Sequence, residues 1–437
     1  MAVAKSIGIY ELSSAVGVGI RRHWLMNSAL TEFLNELFNS LNTGNFENIS
    51  ELLSIEEDSY KDSLTTESTK KRSITNRMRL IQEISSMKDK TLKDTINSNW
   101  ESEEIWPSLV LSHLKVLKIL NSKAAGLSKF FEATTEQINA MNSFLRIFSS
   151  SSHLPILYKL TSDCWKLALF SGSSEAQEQA ARVINRSFIA CITERSSFSR
   201  KWGTYRIAGL LLRVYFHLGQ LNLVQNVIKA LNACELPAID DFPRAHTVTF
   251  NYFLGRYYFS REEFDASEKC FIFCFERLAT FPSQLNSVLH FLIPIKLILN
   301  LQKPQENLIS LFESHQNRLF YQNLVEIISA GDLDAFKLLL QENHQTLLKF
   351  GSFTLYEKLF LIILRQKIKR IYKLTENSTR ISLILLKNLC KTEELEDVNC
   401  LVANLIAKGL IRGYISEEKQ FLVLSAQNPF PNTGYAL

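Results

Sequence analysis

The stretch EDVNCLVANLIAKGLIRGYISEEKQFLVLSAQNPFP, residues 396–431, decides the fold. Val398, Leu401, Val402, Leu405 and Ile406 follow the i, i+3, i+4, i+7, i+8 spacing of a buried helix face. Gly409 stops that helix where a left-handed residue is cheapest. Ile411 to Ser416 and Gln420 to Ser425 then make two short apolar runs around the polar turn Glu417-Glu418-Lys419. One helix leading straight into a β-hairpin is how a winged-helix module ends. Working back from it, the spacing predicts a long helix over 355–374 and a second from Arg380 to Cys390, which completes three helices and a wing.

Composition extends this reading over the rest of the chain. Its 437 residues carry only 15 Gly and 9 Pro, which favours long helices over a turn-rich sheet fold. A hydrophobic content of 46% with 21% charged residues belongs to an ordered globular protein. The seven cysteines are scattered among apolar helical residues, so reduced thiols are expected rather than a disulfide framework. No apolar run reaches the roughly 18 to 20 residues that cross a bilayer. The start, MAVAKSIGIYELSSAVGVGIRR, carries its paired charges after its apolar stretch, unlike a secretory signal. A soluble protein without a membrane partner is expected.

Four segments follow from the pattern. Residues 1–105 form an N-terminal helical, partly mobile segment. In it Leu30, Phe33, Leu34, Leu37 and Phe38 sit at helical spacing, whereas 56–99 turns polar, a solvated helix pair or a mobile stretch with acids first and Lys70, Lys71, Arg72, Arg77 and Arg79 after them. Residues 106–352 read as a helical-repeat array, with helices expected at 108–121, 156–170, 175–195, 203–218, 221–233, 245–260, 265–280, 285–301, 316–330 and 333–349. Leu254, Gly255, Tyr258, Phe264, Ser267, Phe271 and Cys274 fall near tetratricopeptide spacing, in which small residues let paired helices approach. Residues 353–431 are the winged helix and 432–437 a tail. The fold class expected is all-α: stacked tetratricopeptide-like helical hairpins followed by a C-terminal winged helix with a small β-hairpin wing.

No catalytic signature stands out in the sequence. GVGI at Gly17 lacks the Lys-Ser/Thr ending and the preceding strand of a phosphate loop. The eight histidines are isolated, and no HExxH or GxSxG occurs. Cys270 and Cys274 share a helix face but lie among Phe271, Phe273 and Phe275 with no second pair, so core packing is expected there and no metal. Neither an enzyme nor a cofactor is indicated.

Charge is more informative. From Leu361 to Lys391 there are eight basic residues and one acid, Glu376, a local net charge of +7 that exceeds the +5 of the whole chain. Lysines and arginines grouped beside a winged helix supply phosphate contacts. The residues expected to bind nucleic acid are Arg365, Lys367, Lys369, Arg370 and Lys373, extended by Lys408, Arg412 and Lys419 along the third helix and the wing. A solvated helix face, or a dock for an acidic protein, is the alternative reading of the same surface.

VANLIAKGLIRGYIS and LVLSAQNPFP closely resemble the end of PCI-domain proteins, scaffold subunits of the proteasome lid, the signalosome and a translation initiation factor. KWGTYRIAGLLLRVYFHLGQLNLVQNVIKAL from Lys201, FPRAHTVTFNYFLGRYYF from Phe242 and LIPIKLIL from Leu292 look like one branch of that family. This branch contains the signalosome-associated twelfth subunit and the PCI subunit of the nuclear transcription and mRNA-export complex. The resemblance implies a larger PCI-domain partner and a small acidic Dss/Sem-type protein that clamps the helical part. It further implies RNA or DNA binding, and a location in the nucleus, with the cytoplasm as a second place. A protein-only scaffold in a signalosome-like complex is the other function it implies.

Overall fold

The computed structural model describes residues 28–54, 78–98, 100, 105–121, 127–147, 150–193, 200–278, 281–300, 306–392 and 394–431. The fold is the expected all-α one, with a small antiparallel sheet near its C-terminal end. The chain divides into two compact units, Met1–Phe250 and Asn251–Leu437.

The first unit contains α1 (Ala29–Thr43), α2 (Phe46–Leu52), α3 (78–86), α4 (Asp89–Ser98), α5 (Ile105–Asn121) and α6 (Leu127–Ile147). Then come α7 (Leu154–Ser171), α8 (Ser174–Ile192), α9 (Thr204–His217) and α10 (Leu221–Asn232); the division falls inside α11 (Arg244–Ser260). The apolar stripe of α1 is buried as its spacing demands, and the Ser28 hydroxyl caps the helix by accepting from the Thr31 amide. Two expectations need correcting here. The polar stretch over 56–99 is not simply solvated: in its described part α3 and α4 bury Leu80, Ile84, Leu92 and Ile96. Two apolar residues four apart on each helix suffice, since each pair shares one face. Its bases Lys70, Lys71, Arg72 and Arg77 lie outside the described residues. Helix α6 was not expected at all. Its buried face mixes Phe131, Ile138, Met141 and Phe144 with Thr134 and Gln137, so the apolar stripe is broken in the sequence. The Gln137 amide donates to the Leu53 carbonyl and pairs with His113 Nδ1 at 3.1 Å, which gives its side-chain nitrogen two partners inside the core.

The second unit continues with α12 (Phe264–Arg277), α13 (Pro282–Asn300), α14 (Glu306–Ser310), α15 (His315–Ala330), α16 (Leu333–Phe350) and α17 (Phe353–Leu374). The approach of paired helices implied by the repeat spacing is present: Ser267 donates to the Gly255 carbonyl at 2.8 Å, and a Cβ on Gly255 would stand 3.1 Å from the Phe271 ring. Cys270 and Cys274 are buried free thiols, and burial pushes Cys270 up to about 11. Among the described residues no group of three His, Cys, Asp or Glu is placed to hold a metal ion.

His290, Tyr321 and Tyr356 form a buried polar chain across α13, α15 and α17, with His290 Nδ1 2.8 Å from the Tyr321 hydroxyl and the Tyr356 hydroxyl donating to it at 3.2 Å. Burial lowers the His290 imidazole from 6.5 to about 4. The folded state therefore holds this group neutral, while the unfolded chain takes up a proton as soon as pH falls below about 6.5. Its contribution to stability is full above that value and is lost as pH drops toward about 4. Thermal melts across this window should show a fall in stability that His290→Gln makes shallower; an unchanged pH profile in that variant would remove His290 from the account.

The module at the end of the chain is β1 (Arg380–Ser382), α18 (Leu383–Cys390), α19 (Leu395–Ala407), β2 (Gly413–Ser416) and β3 (Phe421–Leu424), with sheet order β1-β3-β2. The helix expected to begin at Arg380 begins at Leu383, because Arg380–Ser382 pairs antiparallel with β3 instead. A strand of three residues is too short to show a period of two. Buried Ile381 opposite Leu422 is what holds it to the sheet. In α19, Val398, Val402 and Leu405 are buried, and Gly409 turns the chain at φ +67° as its sequence position requires.

Candidate nucleic-acid interface

Helix α17 carries five of the eight proposed cations, and helical geometry divides them. Arg365, Lys369 and Lys373 recur at four-residue spacing on one side, while Lys367 and Arg370 lie on another. The apolar face of Leu355, Leu359, Ile362, Ile363 and Ile368 fixes the rotation of the helix.

Arg365 is not a surface residue. It is 1% exposed, its Nε donates to the Leu410 carbonyl at 2.9 Å and its Nη2 to the Pro431 carbonyl at 2.8 Å. The guanidinium also stands 5.8 Å from the Phe430 ring centroid, and that ring packs on Tyr372. Burial lowers the guanidinium's affinity for its proton, yet an arginine stays charged. The expected phosphate contact at Arg365 is thus corrected: the planar fork clasps the segment Asn428-Pro429-Phe430-Pro431 onto the helix. The NPFP ending has a structural use of its own.

Two more of the cations serve neighbouring helices. Lys367 Nζ donates to the Leu389 carbonyl at 2.8 Å in the last turn of α18, and Arg370 donates to the Ala330 carbonyl at the end of α15. Helix C-termini leave carbonyls without partners and concentrate partial negative charge, so each site suits a cation. Lys367 is half-buried; Arg370 remains exposed despite its bond. Asp334 and Lys391 pair at 2.9 Å near the same junction, and the Lys391 hydrogen bond, followed by the charges of Lys391, Lys367 and Lys337, holds the Asp334 carboxyl below its usual range.

The rest of the set is more open. Lys373, Arg412 and Lys419 are exposed, while Lys369 and Lys408 are half-buried. Partial burial, then the nearby charges of Arg365 and Lys373, lowers the Lys369 ammonium from its usual value. Like charges held together in this way favour a polyanion that relieves them. Sequence reasoning counted the charge correctly but could not see which cations are spent on carbonyls. It also passed over the outward aromatics Tyr414 and Phe421, whose signal is the alternation with Ile415 and Leu422 along the two strands.

Among the described residues no helix is long and apolar enough to cross a membrane. A helical array that ends in three helices and a β wing defines the class of helical-repeat scaffold capped by a winged helix. The PCI domain family matches residues 340–426, which begin in α16 and run to the end of the wing. Protein CSN12 homolog of Schizosaccharomyces pombe is 30% identical over 78% of this chain and 86% of its own length. PCI domain-containing protein 2 of Xenopus laevis is 29% identical over 75% of this chain and 85% of its own. PCI domain-containing protein 2 homolog of Drosophila melanogaster is 27% identical over 75% and 85%. The chain belongs to the PCI-domain family, in the branch of the CSN12 homologues and PCI domain-containing protein 2. That kinship supports a scaffold role and implies assembly with other PCI subunits.

Proposed function

We propose that the protein is a non-catalytic nuclear scaffold that pairs with a larger PCI-domain subunit and contributes to RNA or DNA binding in transcription-coupled mRNA processing or export. A small acidic Dss/Sem-type protein seated on the helical part completes the assembly. The observation that carries the nucleic-acid part is the set Lys369, Lys373, Arg412 and Lys419. Among the described residues these four donate to no backbone carbonyl, unlike Arg365, Lys367 and Arg370.

Lys369→Glu with Lys373→Glu is the variant of choice, since neither change removes a helix-capping bond. Affinity for a labelled RNA, followed by fluorescence anisotropy over a salt series, should fall at least tenfold at low salt. The slope of log affinity against log salt should become shallower by about 1 to 2. If the partnered complex binds RNA with undiminished affinity and slope after both changes, the proposed surface is wrong.

A second reading, a protein-only scaffold of a signalosome-like complex, has its own observation. Ile384 and Leu385 are exposed side by side on α18, an apolar pair suited to a protein neighbour. Both readings share the PCI partner; only the first requires a salt-sensitive polyanion.

A further inference from the structure

The face of the wing sheet turned away from the core is built differently from the α18 surface. Alternation along the three strands places Arg380 and Ser382 of β1, Phe421 and Val423 of β3, and Tyr414 and Ser416 of β2 on that face. Ile381, Leu422 and Leu424 point the other way and are buried. Arg380, Val423 and Tyr414 share one row across the sheet, and Ser382, Phe421 and Ser416 share the next. Tyr414 and Phe421 are thus diagonal neighbours, about 7–8 Å apart by ordinary sheet geometry. Tyr414 is 63% exposed and Phe421 36%.

A large ring that is mostly in water loses hydrophobic free energy unless something covers it. What covers it can be read from its surroundings. The face holds one cation, two serine hydroxyls, the Tyr414 phenol and no carboxylate, and exposed Arg412 and Lys419 stand at the two ends of β2 and its turn. The two carboxylates of the wing, Glu417 and Glu418, lie in the turn and off the sheet. A dry protein interface gathers apolar side chains into one patch and sets charge aside. Here Tyr414, Val423 and Phe421 adjoin one another, but charge is not set aside: Arg380 shares their face, Arg412 and Lys419 frame it and no carboxylate lies on it, which suits a chain that alternates flat apolar rings with phosphates.

The geometry points to the outer face of the wing as a stacking platform for unpaired bases, with Tyr414 and Phe421 as adjacent ring contacts and Arg380, Arg412 and Lys419 on the backbone. This rests on the nucleic-acid reading above and narrows it to single-stranded RNA or DNA. In a duplex the base faces are already stacked on one another, so exposed protein rings find nothing flat to cover.

The test compares a labelled oligouridine with a labelled RNA duplex on the full chain. Tyr414→Ala and Phe421→Ala should each weaken single-strand binding about tenfold and leave duplex binding unchanged. Tyr414→Phe, which keeps the ring, should restore most of it, and this excludes a folding defect as the cause. The Lys369→Glu, Lys373→Glu variant should weaken both ligands. Loss on charge reversal without loss on ring removal would overturn the platform and leave the basic surface standing. No binding of either probe by the parent chain, alone or partnered, overturns both. If ring removal instead lowers affinity for the PCI partner while strand binding is unchanged, the face is a protein interface and the platform is rejected.

Discussion

Arg365→Ala is expected to destabilise the winged helix by about 3 kcal/mol, although the seven other bases of its stretch make it look like one more surface base. The guanidinium is buried and donates to two carbonyls, of Leu410 and of Pro431. Its removal leaves both acceptors without a charged donor and opens a void beneath the Phe430 ring. Arg365→Lys should recover less than half of the loss, since one ammonium cannot reach two divergent carbonyls as a planar fork does. Arg365→Met, which restores volume and no donor, separates packing from hydrogen bonding. Because the chain has two compact units, a single melting curve is a blunt readout. Hydrogen exchange over residues 410–431 is the sharper one, and unchanged protection there in Arg365→Ala would refute the clasp. RNA affinity measured well below the melting temperature should change little, in contrast to the Lys369, Lys373 pair.

Gly331→Ala should be nearly as costly, about 3 kcal/mol, for a single added methyl group. Gly331 ends α15 at φ +66°, and a Cβ there would sit 2.7 Å from the Lys367 amide nitrogen and 2.9 Å from its Cα. Those are backbone atoms in the middle of α17 and cannot rotate aside. Left-handed strain accounts for about 1 kcal/mol, and the remainder comes from pushing two helices apart. Gly351→Ala is the matching control. Its φ is +69°, but the added methyl would meet only the end of the Arg256 side chain, at 3.5 Å. Denaturant midpoints should therefore rank parent, Gly351→Ala, Gly331→Ala in falling order; equal losses for the two glycines would mean that contact with α17 adds nothing.

The helices of this protein were legible wherever one face is cleanly apolar. The stripe of α1, the buried side of α19 and the left-handed Gly409 follow from local spacing alone. Helix α6 was hidden because Thr134 and Gln137 occupy core positions, which the bond of Thr134 to the Phe131 carbonyl of its own helix and the long-range bond of Gln137 to the Leu53 carbonyl make tolerable. Strand β1 was hidden because its evidence is long-range: Ile381 is extended on account of Leu422, 41 positions away by residue number. The same limit applied to charge. Counting bases located the +7 stretch, but Arg365, Lys367 and Arg370 are separated from Lys369 and Lys373 only by which neighbour each meets, and those neighbours are Pro431, Leu389 and Ala330. Four-residue spacing does group Arg365 with Lys369 and Lys373. It cannot tell that the first member is covered.

The clasp also sets an order of events during synthesis. Arg365 emerges 66 residues before Pro431, its second carbonyl partner, and 45 before Leu410, its first. A nascent chain that has already made α17 therefore carries a guanidinium destined for the core with nothing to receive it. The module closes late, after Pro431 has left the ribosome, rather than helix by helix as the preceding array can. Messages cut short between the codons for α17 and for Pro431 would yield an array that folds and a winged helix that stays open, a species suited to capture by chaperones and to degradation rather than to assembly.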